Sequence, residues 1–278
     1  MTVPLPPHDP GALALAAFGA HPVFVHAHPD DESISTGGAL AALVQAGAQV
    51  LLVTGTRGER GEVVPGPLHP LEGTPELGPH RVRELQAAVA ALAPPTATGT
   101  LTQLFLGTAP ARAGLTERLY ADSGMRWRDD GLAAPADDAP PEALSLAPLD
   151  EVAADLIAGI RALAPAVTSI VSYDAIGGYG HPDHVRSHTA ARQAAREFGV
   201  PFYAIVEPRV QPDPASDPSD LAGEVTLELG PFTALKARAM AAHATQLTLD
   251  DATGDFVLSG GQRHAIGVVE RYRRPADG

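Results

Sequence analysis

A chain of 278 residues is about the size at which single hydrophobic cores stop growing, so one main core is expected. Apolar residues make up 45% of it and charged residues 19%, which excludes a disordered chain too poor in apolar surface to offset its own entropy. A net charge of −14 excludes strong attraction to nucleic acid or an anionic membrane, and the absence of cysteine excludes disulfides, thiolate metal ligands and a cysteine nucleophile.

No Lys or Arg precedes Arg57, so the apolar stretch at 12–20 lacks the basic flank of a secretory signal. No apolar run approaches the roughly 18 residues that cross a bilayer, and a cytoplasmic protein with no membrane partner is expected. Val23-Phe24-Val25 reads as a strand, the polar run 26–32 as a loop, and the stretch to about Gly47 as a helix. Gln49–Val53 is the next strand, so the first unit is βαβ with a right-handed crossover. Val82, Leu85, Val89 and Leu92 mark one face of a helix that Pro94 stops, and Leu101–Leu106 follows as a strand. The segment 108–148 is rich in Ala, Pro, Asp and Gly and reads as long loops with a short helix at 115–121. Val152, Leu156, Ile160 and Leu163 mark a helix capped by Asp150 and ended by Pro165, with Val167–Tyr173 the strand after it. A helix runs from His184 to about Phe198, the Pro-rich stretch 207–223 is an irregular excursion, and strand, helix and strand follow at 224–229, 232–244 and 256–258.

This alternation predicts an α/β fold: an open, mostly parallel, Rossmann-like sheet with helices on both faces, plus a smaller C-terminal α+β portion. The division expected is a core over 1–206 and a smaller portion over 207–278 packed on it. No internal repeat is present. In open sheets of this kind ligands bind beyond the carboxyl ends of the strands. The polar clusters at 26–32 and 179–188 both follow strands, which places them on one rim.

His28 and Asp31 stand three apart across a strand-to-helix junction, and His184 opens a later helix, so three metal-capable groups can converge there. Two nitrogens and an oxygen suit Zn²⁺ with positions open for water and substrate, and the same set suits Fe²⁺. Each residue also has a plainer role. Asp31 could cap a helix, His28 could be an ordinary hydrogen-bonded histidine, and His181-Pro182 could be a turn. Co-occurrence of two His- and Asp-rich clusters, one opened by Gly177-Gly178-Tyr179-Gly180, favours the metal site.

The runs His26-Ala27-His28-Pro29-Asp30-Asp31-Glu32 and Gly178-Tyr179-Gly180-His181-Pro182-Asp183-His184 resemble the paired signatures of the N-acetylglucosaminyl-phosphatidylinositol de-N-acetylase (LmbE-like) superfamily. The resemblance extends through 56–62, 126–131 and 242–246, and looks most like the mycothiol and bacillithiol branches of bacterial thiol metabolism. It implies a zinc-dependent N-deacetylase acting on a small amino-sugar conjugate, with metal ligands His28, Asp31 and His184 and with Asp30 as general base. It further implies His181 as an imidazolium stabilising the oxyanion, Asp183 as its orienting partner and Tyr179 as a second donor. Sugar contacts fall on Arg81, Asp129 and Glu59, since hydroxyls are well fixed by charged side chains. The competing roles are a solvated helix-opening residue for Arg81 and a turn former for Asp129. Glu32 has no assigned act beyond complementing a helix dipole.

Three rivals remain at this stage. A nucleotide-binding oxidoreductase lacks its Gly-rich turn, because carboxylates stand where a pyrophosphate would sit. A non-catalytic sugar-binding protein would need a closed metal sphere. An amidase of thiol S-conjugates would share the fold and metal. Oligomeric state cannot be read from the sequence.

Overall fold

The computed structural model describes residues 9–206, 223–250 and 252–275, so the Pro-rich stretch up to residue 222 lies outside the described residues. Helix α1 (Pro10–Phe18) leads into β1 (Pro22–His26), α2 (Asp31–Gln45), β2 (Gln49–Thr54), α3 (Leu77–Leu92) and β3 (Thr100–Phe105). The short strands β4 (Met125–Trp127) and β5 (Ala133–Pro135) precede α4 (Leu149–Leu163), β6 (Ser169–Ser172), α5 (Pro182–Phe198) and β7 (Phe202–Ile205). The C-terminal part adds β8 (Glu224–Glu228), α6 (Phe232–Ala242), β9 (Leu247–Asp250), β10 (Asp255–Leu258), β11 (Arg263–Ala265) and β12 (Val269–Arg273).

Seven strands form one sheet in the order β3-β2-β1-β6-β7-β12-β8. The first five pair in parallel, and β12 runs antiparallel to both β7 and β8. Successive side chains of a strand point to opposite faces. Val23, Val25, Leu51 and Val53 therefore share one core with α4 and α5, while Phe24, Val50 and Leu52 share the other with α1, α2, α3 and α6. Buried on both faces, these strands read as continuous apolar runs rather than alternating ones.

Helix α4 shows how the pattern becomes packing. Val152, Leu156 and Ile160 recur every fourth residue and are fully buried. Each such side chain contributes roughly 1.5–3 kcal/mol. The helix begins at Leu149 after Pro148, so Asp150 lies in the first turn instead of capping it.

No helix forms at 115–121. Arg118 donates to Glu151 at 3.0 Å and the Tyr120 hydroxyl to Asp155 at 2.7 Å, which pins the segment along α4 in an irregular path. Leu115 and Leu119 stay exposed, so the segment has no apolar stripe to bury as a helix.

In the C-terminal part, β8 and β12 complete the main sheet, α6 packs on α2 and α3, and β9–β11 form a separate three-stranded sheet. Among the described residues no helix is long and apolar enough to cross a membrane.

Candidate metal and catalytic site

The sheet order places β2 and β3 on one side of β1 and β6 and β7 on the other. Connections leaving β1 and β6 diverge at that reversal and open a crevice beyond their carboxyl ends. The loop after β1 carries His28 and Asp30 and leads into Asp31, the first residue of α2, and the loop after β6 carries Tyr179, His181 and, in the first turn of α5, Asp183 and His184.

Asp30 is the sole non-glycine residue with positive φ among the described residues, at φ 117° and ψ −34°. Such a backbone costs on the order of 1–3 kcal/mol and persists only when its surroundings over-determine it. Glu32 supplies one hold, since its Oε2 accepts the Asp30 N–H at 2.9 Å. Its Oε1 contacts His243 Nε2 at 2.7 Å and accepts from Ser33 Oγ at 2.5 Å. This is the part Glu32 plays beyond a helix-start acid: it fixes the turn that separates Asp30 from Asp31 and ties α2 to the end of α6.

His28, His181 and His184 offer ring nitrogens within 4.8 Å of one another, and so do His28, Asp122, His181 and Asp183 with one ligand atom each. Asp31 sits between two of the histidines, its Oδ2 3.3 Å from His28 Nδ1 and its Oδ1 3.4 Å from His184 Nε2. His184 is 1% exposed, yet neither ring nitrogen has a hydrogen-bond partner among the described residues. Leaving a buried polar group unpaired is costly, and an ion bound at one lone pair satisfies one of these two nitrogens. Asp31 thus adds a carboxylate beside two of these clustered imidazoles, a donor set that fits a divalent cation such as Zn²⁺ or Fe²⁺.

Behind His28 stands Asp183, whose Oδ2 lies 3.2 Å from His28 Nε2. Ser123 fixes that carboxylate with its backbone N–H at 2.9 Å and with its hydroxyl. The Asp183 side chain thus orients His28, not His181 as the sequence suggests, in the carboxylate–histidine pairing common behind metal ligands. His181 receives only the Asp183 backbone N–H, at Nδ1 and 3.2 Å. Nδ1 is then the unprotonated nitrogen, and Nε2–H is left as a donor.

Electrostatics follow from burial and these contacts. Burial, with the charges of His28 and His184, pushes the His181 pKa down to about 2, so its resting form is neutral in place of the expected imidazolium. Burial pushes the Asp30 carboxyl up to about 6, against the opposing pull of Arg81. Burial would also raise Asp31, but His184 and His28 hold it well below the usual carboxylate range. For His28 burial works downward, and the acids Asp122, Asp183 and Asp31 outweigh it and raise the ring well above 6.5. A field that holds a proton on His28 also attracts a divalent cation.

His28, Asp30, Asp31, Tyr179 and His181 line a cleft of ≈1550 Å³ together with Arg81, Glu59, Asp122 and Trp127, and that lining does not include Asp183 or His184. Arg81 lies in the second turn of α3, which begins at Leu77, and is 2% exposed, so it neither opens the helix nor meets solvent. It donates to Gly58 O at 2.5 Å and to Pro29 O, and its Nη2 is 3.3 Å from Asp30 Oδ2. Glu59 Oε1 accepts the Asp122 N–H at 2.9 Å. Asp129 occupies the exposed turn between β4 and β5, outside the cleft's lining. Tyr179 is partly exposed with its ring 5.2 Å from that of His184 and 6.0 Å from that of His181. Its carbonyl accepts the Ala133 N–H at 2.8 Å, which holds β5 against the loop. Gly177 is needed beside the site, for it has φ 68° and a Cβ there would lie 2.8 Å from His184 Cβ.

Sequence reasoning missed Asp122, Ser123 and Tyr173. Asp122-Ser123 is an ordinary polar pair in a long loop. Tyr173 follows β6 directly, where it reads as one more core aromatic.

The three-layer sheet with a buried His/Asp cluster at the reversal of strand order defines a Rossmann-like protein with a hydrolase-type candidate metal site. The sequence profile of GlcNAc-PI de-N-acetylases (PIG-L) matches residues 23–195, and the chain belongs to that family. It is 38% identical over 289 residues to the 1D-myo-inositol 2-acetamido-2-deoxy-alpha-D-glucopyranoside deacetylase of Kineococcus radiotolerans, covering 90% of this chain and 76% of that protein. The protein of the same description from Actinosynnema mirum is 35% identical over 286 residues, with 92% and 93% covered. Among solved structures, a deacetylase–bog complex from the teicoplanin biosynthesis pathway aligns with a TM-score of 0.57 at 22% identity, covering 93% of this chain and all of that one, a likeness of fold.

Proposed function

We propose that the chain is a metal-dependent deacetylase that hydrolyses the N-acetyl group of a small N-acetylglucosaminide. The inositol glycoside named for its relatives is the first substrate to test. The observation that carries this reading is the convergence of His28, Asp31 and the unpartnered imidazole of His184 beside the partly buried Asp30.

Held by His28, Asp31 and His184, a divalent ion supplies Lewis acidity toward the amide oxygen and lowers the pKa of water. The remaining work belongs to side chains of this chain. Asp30 takes the proton of the attacking water and returns it to the departing amine, roles that a carboxyl with pKa about 6 can fill in turn. His181 donates from Nε2–H to the oxygen on which charge develops, and Tyr179 adds a hydroxyl from the cleft's lip. Asp183 and Ser123 keep His28 in its orientation. Arg81 braces Asp30 from behind, and Glu59 in the cleft, with Asp129 at its approach, are the charged groups offered to the sugar. The products are acetate and the free amine.

The test is to incubate purified protein with a panel of N-acetylglucosaminides, the inositol glycoside among them, and to follow free amine with and without chelator. Chelator-sensitive release is expected. Release that survives complete metal removal, or none from any glycoside, refutes the proposal. Cleavage of thiol S-conjugates alone would reassign the substrate on the same site.

A further inference from the structure

We infer that Tyr173 is a positioning residue whose hydroxyl limits Asp31 to a single free oxygen for the metal; the inference rests on the ligand set proposed above. The Tyr173 hydroxyl donates to Asp31 Oδ2 at 2.7 Å and accepts the Ala27 N–H at 2.8 Å. With an incoming N–H fixing its lone pair, its one proton is aimed at the carboxylate. Asp31 Oδ2 also accepts the His28 backbone N–H at 2.9 Å. Two donors therefore occupy Oδ2, which also lies 3.3 Å from His28 Nδ1, while Oδ1 faces His184 Nε2 at 3.4 Å with no hydrogen bond among the described residues. A carboxylate held this way offers one oxygen and resists swinging to bidentate binding.

The ring of Tyr173 serves the same end. It stacks on His184 with centroids 3.9 Å apart and planes 10° apart. A ligating histidine is usually oriented by a hydrogen bond from its other nitrogen to a carboxylate or carbonyl. His184 Nδ1 has no such partner among the described residues, so its orientation comes from the stacked ring. Tyr173 is itself fixed, being 1% exposed, with the His26 ring edge-on at 5.5 Å and its carbonyl bonded to His188 Nδ1 at 2.7 Å. One side chain thus braces a ligand from each of the two loops.

Tyr173→Phe keeps the ring and removes the clamp. Affinity for Zn²⁺ and Co²⁺ would be measured on the full chain by competition with a chromophoric chelator, alongside the Co²⁺ visible spectrum and the thermal midpoint of the metal-free protein. The expected result is a 10–100-fold loss of affinity, the usual scale for such outer partners, with a changed Co²⁺ spectrum as Asp31 gains freedom. Ser172→Ala is the control, because it loses a buried bond to Val25 O at 2.9 Å on the neighbouring residue without touching a proposed ligand. It should lower the thermal midpoint and leave affinity unchanged. Affinity and spectrum within error of wild type in Tyr173→Phe overturn the inference, as does an equal affinity loss in Ser172→Ala. Absence of stoichiometric metal binding in the wild type would instead overturn the ligand set.

Discussion

Arg81 Nη2 lies 3.3 Å from Asp30 Oδ2, and the same guanidinium donates to the carbonyls of Pro29 and Gly58. One buried cation therefore holds both the side chain and the entering backbone of the expected general base. Arg81→Ala should lower kcat on an N-acetylglucosaminide and on a minimal acetamide alike, by about 10²-fold, the scale of a small misplacement of a reacting group. A loss confined to the sugar substrate, seen in KM alone, would show that Arg81 contacts sugar and does not brace Asp30.

Asp30→Asn preserves shape but cannot accept a proton. Turnover is expected to fall by about 10²–10⁴ while metal content per chain stays at the wild-type level. Metal loss in parallel with turnover would move Asp30 into the ligand set.

Gly177→Ala places a methyl 2.8 Å from His184 Cβ on a backbone with φ 68°, whereas Gly114 has φ 71° with nothing near its added Cβ. Both substitutions strain the backbone, and only the first presses on the site. Gly177→Ala should weaken metal binding and Gly114→Ala should not, as chelator competition on the two proteins would show.

Outside the cleft's lining, the Glu151 carboxylate accepts from Arg112 at 2.7 Å and from Arg118 at 3.0 Å. The Arg112 bond leads in holding its pKa below 4.5. A folded-state pKa depressed in this way adds stability that is present above the unfolded value and is lost as pH falls through the folded one. Glu151→Gln should therefore melt below wild type near neutral pH, and the two curves should converge in strong acid. Parallel curves across the acid range would contradict the linkage.

The sequence displayed the sheet's central strands because burial on both faces leaves runs such as Val23–Val25 and Val50–Val53 unbroken by polar residues. Both halves of the site were visible for a related reason, since His28–Glu32 and His181–His184 are dense polar clusters in the connections that leave such strands. Their supports were hidden. Tyr173, Asp122, Ser123 and His243 are single residues of common type that only the fold brings to Asp31, His28, Asp183 and Glu32. Local pattern also misled at 115–121, where ties from Arg118 and Tyr120 to α4 outweigh helix propensity. Asp183 gives its carboxylate to His28 and only its backbone N–H to His181, a division that the order of the residues in the sequence does not show.

Elemental analysis and acetate release, measured on the same preparations of wild type, His28→Ala, Asp31→Ala and His184→Ala, bear most directly on the proposed centre. One divalent metal per wild-type chain is expected, with strong loss of both metal and acetate release in all three variants. Wild-type metal content in all three variants, or acetate release persisting without metal, would contradict a hydrolytic centre built on these residues.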